Sequence, residues 1–175
     1  MTSKRDIFEG YMEDISFRKA TLADIPELKG LFANTVLTVN RKDYTEEETA
    51  DWAACGERPG HWERLIGNLH FIVATNADGH IMGFAAIRSD GYLHSLFTHK
   101  DHQRQGVATR LLRLMESHAM ANGAKTITSE VSITARPFFE HNGYAVVSEQ
   151  KAQAHKLRLT NYKMAKNINT HHENL

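Results

Sequence analysis

Gln103-Arg104-Gln105-Gly106-Val107-Ala108 is the stretch whose surroundings decide the fold. Before it runs an apolar, β-branched and aromatic segment, Tyr92–Thr98, then a polar loop. After it, Val107, Leu111, Leu112, Met115 and Ala119 recur at helical spacing, and Gly123 stops the pattern. The hexapeptide therefore joins the end of a strand to the start of an amphipathic helix. Gly106 lets the backbone turn and approach a ligand closely, and Ala108 keeps the next turn low. The first amides of a helix lack internal partners, and with the helix dipole they form an anion site suited to a pyrophosphate. Arg104 adds a charge-assisted contact. Taken alone, the six residues favour a plain helix start with polar surface side chains.

Working upstream, residues 71–74 read as a buried strand, and Asn76-Ala77-Asp78-Gly79 is turn chemistry. Residues 81–87 return as a second strand. Asp90-Gly91 turns into the third, giving an antiparallel meander. Residues 14–18 alternate like a short strand. From Thr21 a helix carries Ile25, Leu28, Phe32, Val36 and Val39 on one stripe. Thr45-Glu46-Glu47-Glu48 is a capping-box pattern opening a second helix through Trp52. Arg58-Pro59-Gly60 interrupts, and 61–66 form a short helical turn ending near Gly67. Downstream, residues 126–131 are a strand, and Pro137 starts a short helix through His141 that Gly143 ends. Residues 144–148 and 157–164 are the last strands, and 171–175 a polar tail. The order implies one α/β (α+β) domain over 1–175, with its core at about 14–166 and a tail at 167–175. Its mixed, mostly antiparallel sheet of six to seven strands is flanked by helices.

The composition is that of a globular protein: 41% hydrophobic and 24% charged over 175 residues. Lys plus Arg equals Asp plus Glu, 21 each, which argues against a nucleic-acid or anionic-membrane surface. The single cysteine, Cys55, cannot form an intrachain disulfide and suits a reducing, cytoplasmic setting. It has no base beside it in sequence and reads as inert. The start is charged and unlike a signal peptide, and no apolar run has spanning length. Eleven histidines contain no HExxH or Cys/His ligand set, so no metal is expected.

The segment Gln103-x-x-Gly106-x-Ala108 resembles the acyl-CoA loop of the GNAT superfamily of N-acetyltransferases, Q/R-x-x-G-x-G/A. The preceding strand ending Leu96-Phe97-Thr98 and the later Pro137-Phe138-Phe139-Glu140-His141-Asn142-Gly143-Tyr144 are also similar to that family. The resemblance covers roughly residues 15–164 and is most specific over 92–144. The glycine spacing is not that of a dinucleotide fingerprint, and no Gly-Lys-Ser/Thr makes a Walker loop.

The resemblance implies a sheet splayed between the strand ending at Thr98 and the one ending at Val131, with acetyl-CoA entering the gap. Backbone groups of Leu96, Phe97 and Thr98 then hold the pantetheine and thioester. Gln103, Arg104, Gln105, Gly106, Val107, Ala108 and Thr109 form the pyrophosphate loop. Ser132 stands where relatives often have asparagine near the cofactor arm. The implied activity is acetyl transfer to a primary amine, on a small molecule, protein lysine or N-terminus, by direct attack in a ternary complex. A homodimer is compatible with it.

His94 is the candidate base, with Tyr92 beside it as the second catalytic candidate. An imidazole titrates near ~6.5, and alternation puts His94 on the face of both Leu96 and Tyr92. Tyr92-Leu93-His94-Ser95-Leu96 is similar to the matching strand of arylalkylamine acetyltransferases, which carry histidine at both alternate positions; here the first is Tyr92. The competing reading of His94 is a ring packed in the sheet. Many relatives carry a tyrosine acid four residues before the glycine that closes the short helix, where this chain has Phe139. That departure keeps a non-catalytic acyl-CoA-binding module open as the alternative. Tyr144 reads as a core aromatic. Phe32, Tyr44, Trp52 and Trp62 are possible walls of an acceptor pocket, or simple packing.

Overall fold

The computed structural model describes residues 14–168. The charged start and the polar tail from His171 lie outside the described residues. Seven strands form one sheet in the order β1-β2-β3-β4-β5-β7-β6. They are β1 Ser16–Lys19, β2 His70–Thr75, β3 Ile81–Ile87, β4 Tyr92–Thr98, β5 Thr126–Ser132, β6 Ala145–Gln153 and β7 Arg158–Asn167. The helices are α1 Ile25–Thr38, α2 Glu46–Ala54, α3 His61–Asn68, α4 Val107–Ala121 and α5 Arg136–His141. All neighbouring strands pair antiparallel except β4 and β5.

The expected order holds, with local differences. The first helix is preceded by a 3-10 turn, Leu22–Asp24, because Pro26 sits in the opening turn of α1. The Asp24 carboxylate accepts from the Thr21 amide at 2.8 Å and pairs with Arg18 at 2.8 Å, tying β1 to that turn. Thr45 and Glu48 close the expected capping box, at 3.0 and 3.1 Å. Strands β6 and β7 run longer than their apolar residues suggest. Ser148 to Gln153 is polar and largely exposed, so it is extended by pairing with β7 rather than by its own pattern.

Two cores lie on opposite faces of the sheet. On one, Leu111, Leu112 and Met115 of α4 meet Ile87, Leu93, Ile127 and Met164. On the other, Leu28, Phe32 and Val36 of α1 and Trp62 of α3 meet Phe71, Val73 and Phe84. Burial of each fully enclosed aliphatic side chain contributes about 1.5–3 kcal/mol. Because β3 is covered on both faces, it reads as a continuous apolar run.

Strands β4 and β5 pair in parallel at only two positions, Tyr92 with Thr128 and Leu93 with Ser129. Where the ladder stops, Ser129 Oγ donates to the Leu93 carbonyl at 2.8 Å, taking up an acceptor the next rung could use. Beyond this point the two strands diverge. Their closed end depends on Gly91, whose carbonyl accepts from Thr128 N at 3.0 Å. Gly91 has φ of +100°, and a Cβ there would lie 2.3 Å from the Thr126 carbonyl. Gly91→Ala is therefore expected to destabilise the fold by roughly 1–3 kcal/mol, read as a Tm lower by about 3–10 °C. An unchanged Tm would mean that this junction relaxes freely.

Candidate active site

Divergence of β4 and β5 leaves two strand edges facing one another inside the protein. Such edges carry backbone donors and acceptors that need partners. A cavity of about 300 Å³ occupies this region. One end is lined by Leu96, Val131, Ser132 and Phe139, the other by rings from α1, α2, α3 and β4. Phe32, Tyr44, Trp52 and Trp62, the rings named from the sequence, all line the cavity.

These rings form one edge-to-face network. Phe32 meets Trp62 at 5.8 Å and Phe97 at 5.1 Å, and Trp52 meets Tyr44 at 5.5 Å. The cavity is roofed by ties between α2 and the β6–β7 hairpin. Asp51 accepts from the amides of His155, Lys156 and Leu157 at 2.9–3.0 Å. Arg58 donates to the Ala154 carbonyl at 2.7 Å. Tyr44 Oη donates to the Thr160 carbonyl at 2.7 Å and accepts from the Ile133 amide at 2.9 Å. Burial pushes the Tyr44 hydroxyl up to about 12, so it stays a neutral strut.

The bulge in β4 corrects one expectation. Ala86 lies opposite Ser95 and Ile87 opposite Leu93, so His94 is the extra residue. Leu93 and Leu96 consequently both face the α4 core. His94 does not share the face of Leu96; it turns with Ser95 toward the aromatic side. A hydrogen bond between His94 Nδ1 and Ser95 Oγ, at 2.7 Å, joins consecutive side chains that regular alternation would point apart. Tyr92 stays on the face of His94, their rings 6.3 Å apart.

His94 Nε2 has no partner among the described residues. The surface His94 exposes opens onto the walled cavity. Burial lowers its pKa, partly offset by Glu130, so the ring is neutral at pH 7. His61, at the start of α3, also lines the cavity and is likewise lowered, by burial and then by His94. His61, Ser95 and Glu130 escaped the sequence reading. Alternation in β5 could have flagged Glu130, since buried Ile127, Ser129 and Val131 leave 130 on the Tyr92 side. Nothing in the sequence links His61 to His94.

The loop residues lie apart from the cavity, beyond the far end of β4. Arg104 and Gly106 have φ of +58° and +82°, and Gly106 is the N-cap of α4. Alternating left-handed residues turn successive amides to one side, the backbone arrangement that suits an anion. The first intrahelical bond is Arg110 N to Gly106 O, 3.1 Å, so the amides of Val107, Ala108 and Thr109 precede the ladder. The Gln103 side chain braces the loop instead, donating to Thr98 O at 2.8 Å and His99 O at 3.3 Å. Thr35 Oγ1 also donates to Thr98 O, at 3.0 Å, locking the strand end to α1. The carbonyl of Thr98 is thus already doubly occupied.

A pantetheine arm brings amide N–H donors, and the cavity offers an acceptor. Asn161 Oδ1, directly across from Ser132, is buried with no hydrogen-bond partner. Ser132 Oγ accepts from Ala135 N at 3.1 Å, which fixes the turn into α5. Phe139 is buried and puts no hydroxyl at the cavity wall. Tyr144 is a core ring, 5.1 Å from Phe139. Burial, then Glu116, raises its pKa far above the ordinary value. The Cys55 thiol is also raised by burial, which keeps it protonated. Among the described residues no three His, Cys, Asp or Glu side chains gather as metal ligands, and no helix is long and apolar enough to cross a membrane.

Comparison with known proteins bears on the same elements. Residues 40–166 match the model of the "Acetyltransferase (GNAT) domain" family. The chain is 28% identical over 154 residues to the "Uncharacterized N-acetyltransferase YafP" of Escherichia coli K12, covering 87% of this chain and 96% of that protein. A GCN5-related N-acetyltransferase structure from Rhodopseudomonas palustris superposes with a TM-score of 0.85 at 24% identity, over 89% of this chain and 96% of that one. The PaiA N-acetyltransferase of Thermoplasma acidophilum, solved with coenzyme A, gives 0.71 at 18%, over 87% and 98%. The matched span contains the splayed strands, the loop and α4, so the chain belongs to the GNAT acetyltransferase family and is an acyltransferase.

Proposed function

We propose that the protein transfers the acetyl group of acetyl-CoA to a small primary amine, by direct attack in a ternary complex. The observation that carries this reading is one cavity that runs from the β4–β5 gap to a ring-lined cleft. The Asp51, Arg58 and Tyr44 ties cross over that cleft, and a partly covered cleft suits a small acceptor better than a lysine on a protein surface.

Acetyl-CoA supplies an activated acyl thioester; the chain supplies position, electrostatics and a base. Amides 104–109 receive the pyrophosphate, with Arg104 adding charge. Backbone of β4 at Leu96 and Phe97 and the Asn161 amide oxygen hold the arm. An alkyl ammonium has a pKa near ~10.4 and must lose a proton before attack. His94 takes that proton at Nε2. In this arrangement its Nδ1–H donates to Ser95 Oγ, which fixes tautomer and ring orientation. Tyr92 forms the wall beside it. With Phe139 at the usual acid position, the thiolate recovers the proton shed by the acylated nitrogen or one from solvent.

Thiol release from acetyl-CoA is expected to require a primary amine, with the matching acetamide seen by mass spectrometry. A lysine-containing peptide should be a poorer acceptor than a small amine. Amine-independent release, or none across a broad panel, would overturn the reading.

A further inference from the structure

We propose that the outer edge of β6 is a self-association surface, where a second copy of this chain pairs its own β6 antiparallel about Gln150 and joins the two sheets into one. Such pairing does not depend on the acetyl-transfer reading.

Strand β6 ends the sheet, and β7 is its one strand neighbour. A strand in that position has a row of backbone donors and acceptors facing away from the sheet. The hairpin register identifies them. Gln153 faces Arg158, Lys151 faces Thr160 and Glu149 faces Tyr162. One step closer to the hairpin tip, Ala154 N donates to Leu157 O at 2.8 Å, which makes that pair a hydrogen-bonded one. Hydrogen-bonded and non-hydrogen-bonded pairs alternate along an antiparallel ladder. Ala152, Gln150 and Ser148 therefore turn their backbone groups into β7, and Gln153, Lys151 and Glu149 turn theirs outward. Among the described residues no strand pairs with that outward row.

The row is complementary to itself. With Gln150 opposite the partner's Gln150, Glu149 comes against the partner's Lys151, and Lys151 against the partner's Glu149. Both have outward-turned backbone, so the same register lets each pair exchange hydrogen bonds. Both side chains are exposed, and neither has an ion-pair partner among the described residues. A lysine on an edge strand usually blocks pairing. Here Glu149, two residues away on the same face, supplies the counter-charge across a two-fold axis. The bulge falls between Val146 and Ser148, at Val147, which is 68% exposed. In this register the end of the partner's β6 comes against it and covers apolar surface that is otherwise left in water. Ala152 and Gln153 also line the cavity, so the paired edge lies beside one wall of the candidate site. A single strand pair is a small interface, and a Kd of about 1–100 μM is expected.

The test is sedimentation of the full chain across that concentration range. The wild type should pass from monomer to dimer. Lys151→Glu and Glu149→Lys should each weaken association by about tenfold or more, because two like-charge contacts replace two opposite ones. Both positions are exposed, so neither change should disturb the fold of the monomer. An equimolar mixture of the two variants should associate about as well as the wild type, since each supplies the charges the other lacks. Hydrogen exchange reads the backbone. The amides of Glu149 and Lys151 should exchange more slowly at high protein concentration than at low, whereas that of Gln150, turned into β7, should not change. A wild type that stays monomeric overturns the proposal, as does a dimer that tolerates both charge reversals or a mixture that does not recover. Protection of both amides at every concentration would mean that another segment of this chain covers the edge, and likewise overturns self-pairing.

Discussion

Gly106→Glu is expected to abolish acetyl-CoA binding. Gly106 is the N-cap of α4 at φ +82°, in the loop proposed to receive the pyrophosphate. A glutamate there places a carboxylate in the potential that favours an anion, and adds bulk where the phosphates approach the backbone. In the unaltered protein, ligand at about a hundred times its Kd should stabilise the fold by ~2.7 kcal/mol. For a domain of this size that is a Tm rise of about 5–10 °C. NAD and ATP should give much less. The Glu variant should show no rise. Gly106→Ala separates charge from backbone strain: it should melt lower without ligand, because of its positive φ, yet keep most of the acetyl-CoA shift. Normal calorimetric binding of acetyl-CoA by Gly106→Glu would remove the loop from the cofactor site.

That loop was legible because its chemistry is local. Strand, glycine and helix follow one another in the chain, so a short window contains the whole strand–loop–helix unit. The meander 71–98 was legible for a related reason: tight turns pair neighbours in sequence, and apolar runs mark strands covered on both faces. What stayed hidden comes from pairings between distant segments. The bulge at His94 exists only in the register against β3, so periodicity put His94 with Leu96 on the wrong side. The roof depends on Asp51 reaching residues 155–157, over a hundred positions away, and no spacing rule connects them. His61 meets the site because α3 packs on β2 and β3 through Trp62, a tertiary fact. Phe139, which the sequence marks only as the place where many relatives carry a tyrosine, lines the cavity because α5 follows β5 after a short turn.

His94→Ala carries the largest expected effect on chemistry. The bulge brings this ring to the aromatic side, beside Tyr92, within the influence of Glu130 and close enough to act on His61. Removing one positioned acid–base group costs about 10²–10⁴-fold, and kcat should fall by about 10²-fold here, since water can partly replace the base. Acetyl-CoA affinity should hold, because the proposed cofactor contacts are loop amides and strand backbone. Burial sets His94 below the ordinary imidazole value of 6.5, so wild-type kcat should persist to below that pH before its acidic limb appears. The variant should lack this limb. Its deficit should shrink as pH climbs toward ~10.4, where the amine frees itself. Stability supplies an independent readout with its own sign. A histidine whose folded pKa is depressed takes up a proton more readily when unfolded, so its neutral state supports folding above 6.5 and that support is lost as pH falls below it. The variant should therefore lose less Tm on acidification than the wild type. A ring serving packing alone would lower Tm on removal and scale activity evenly at every pH. Turnover by His94→Ala equal to wild type between pH 6 and 9, roughly the span over which imidazole is free, would take His94 out of the mechanism and leave His61 as the cavity's other imidazole to test.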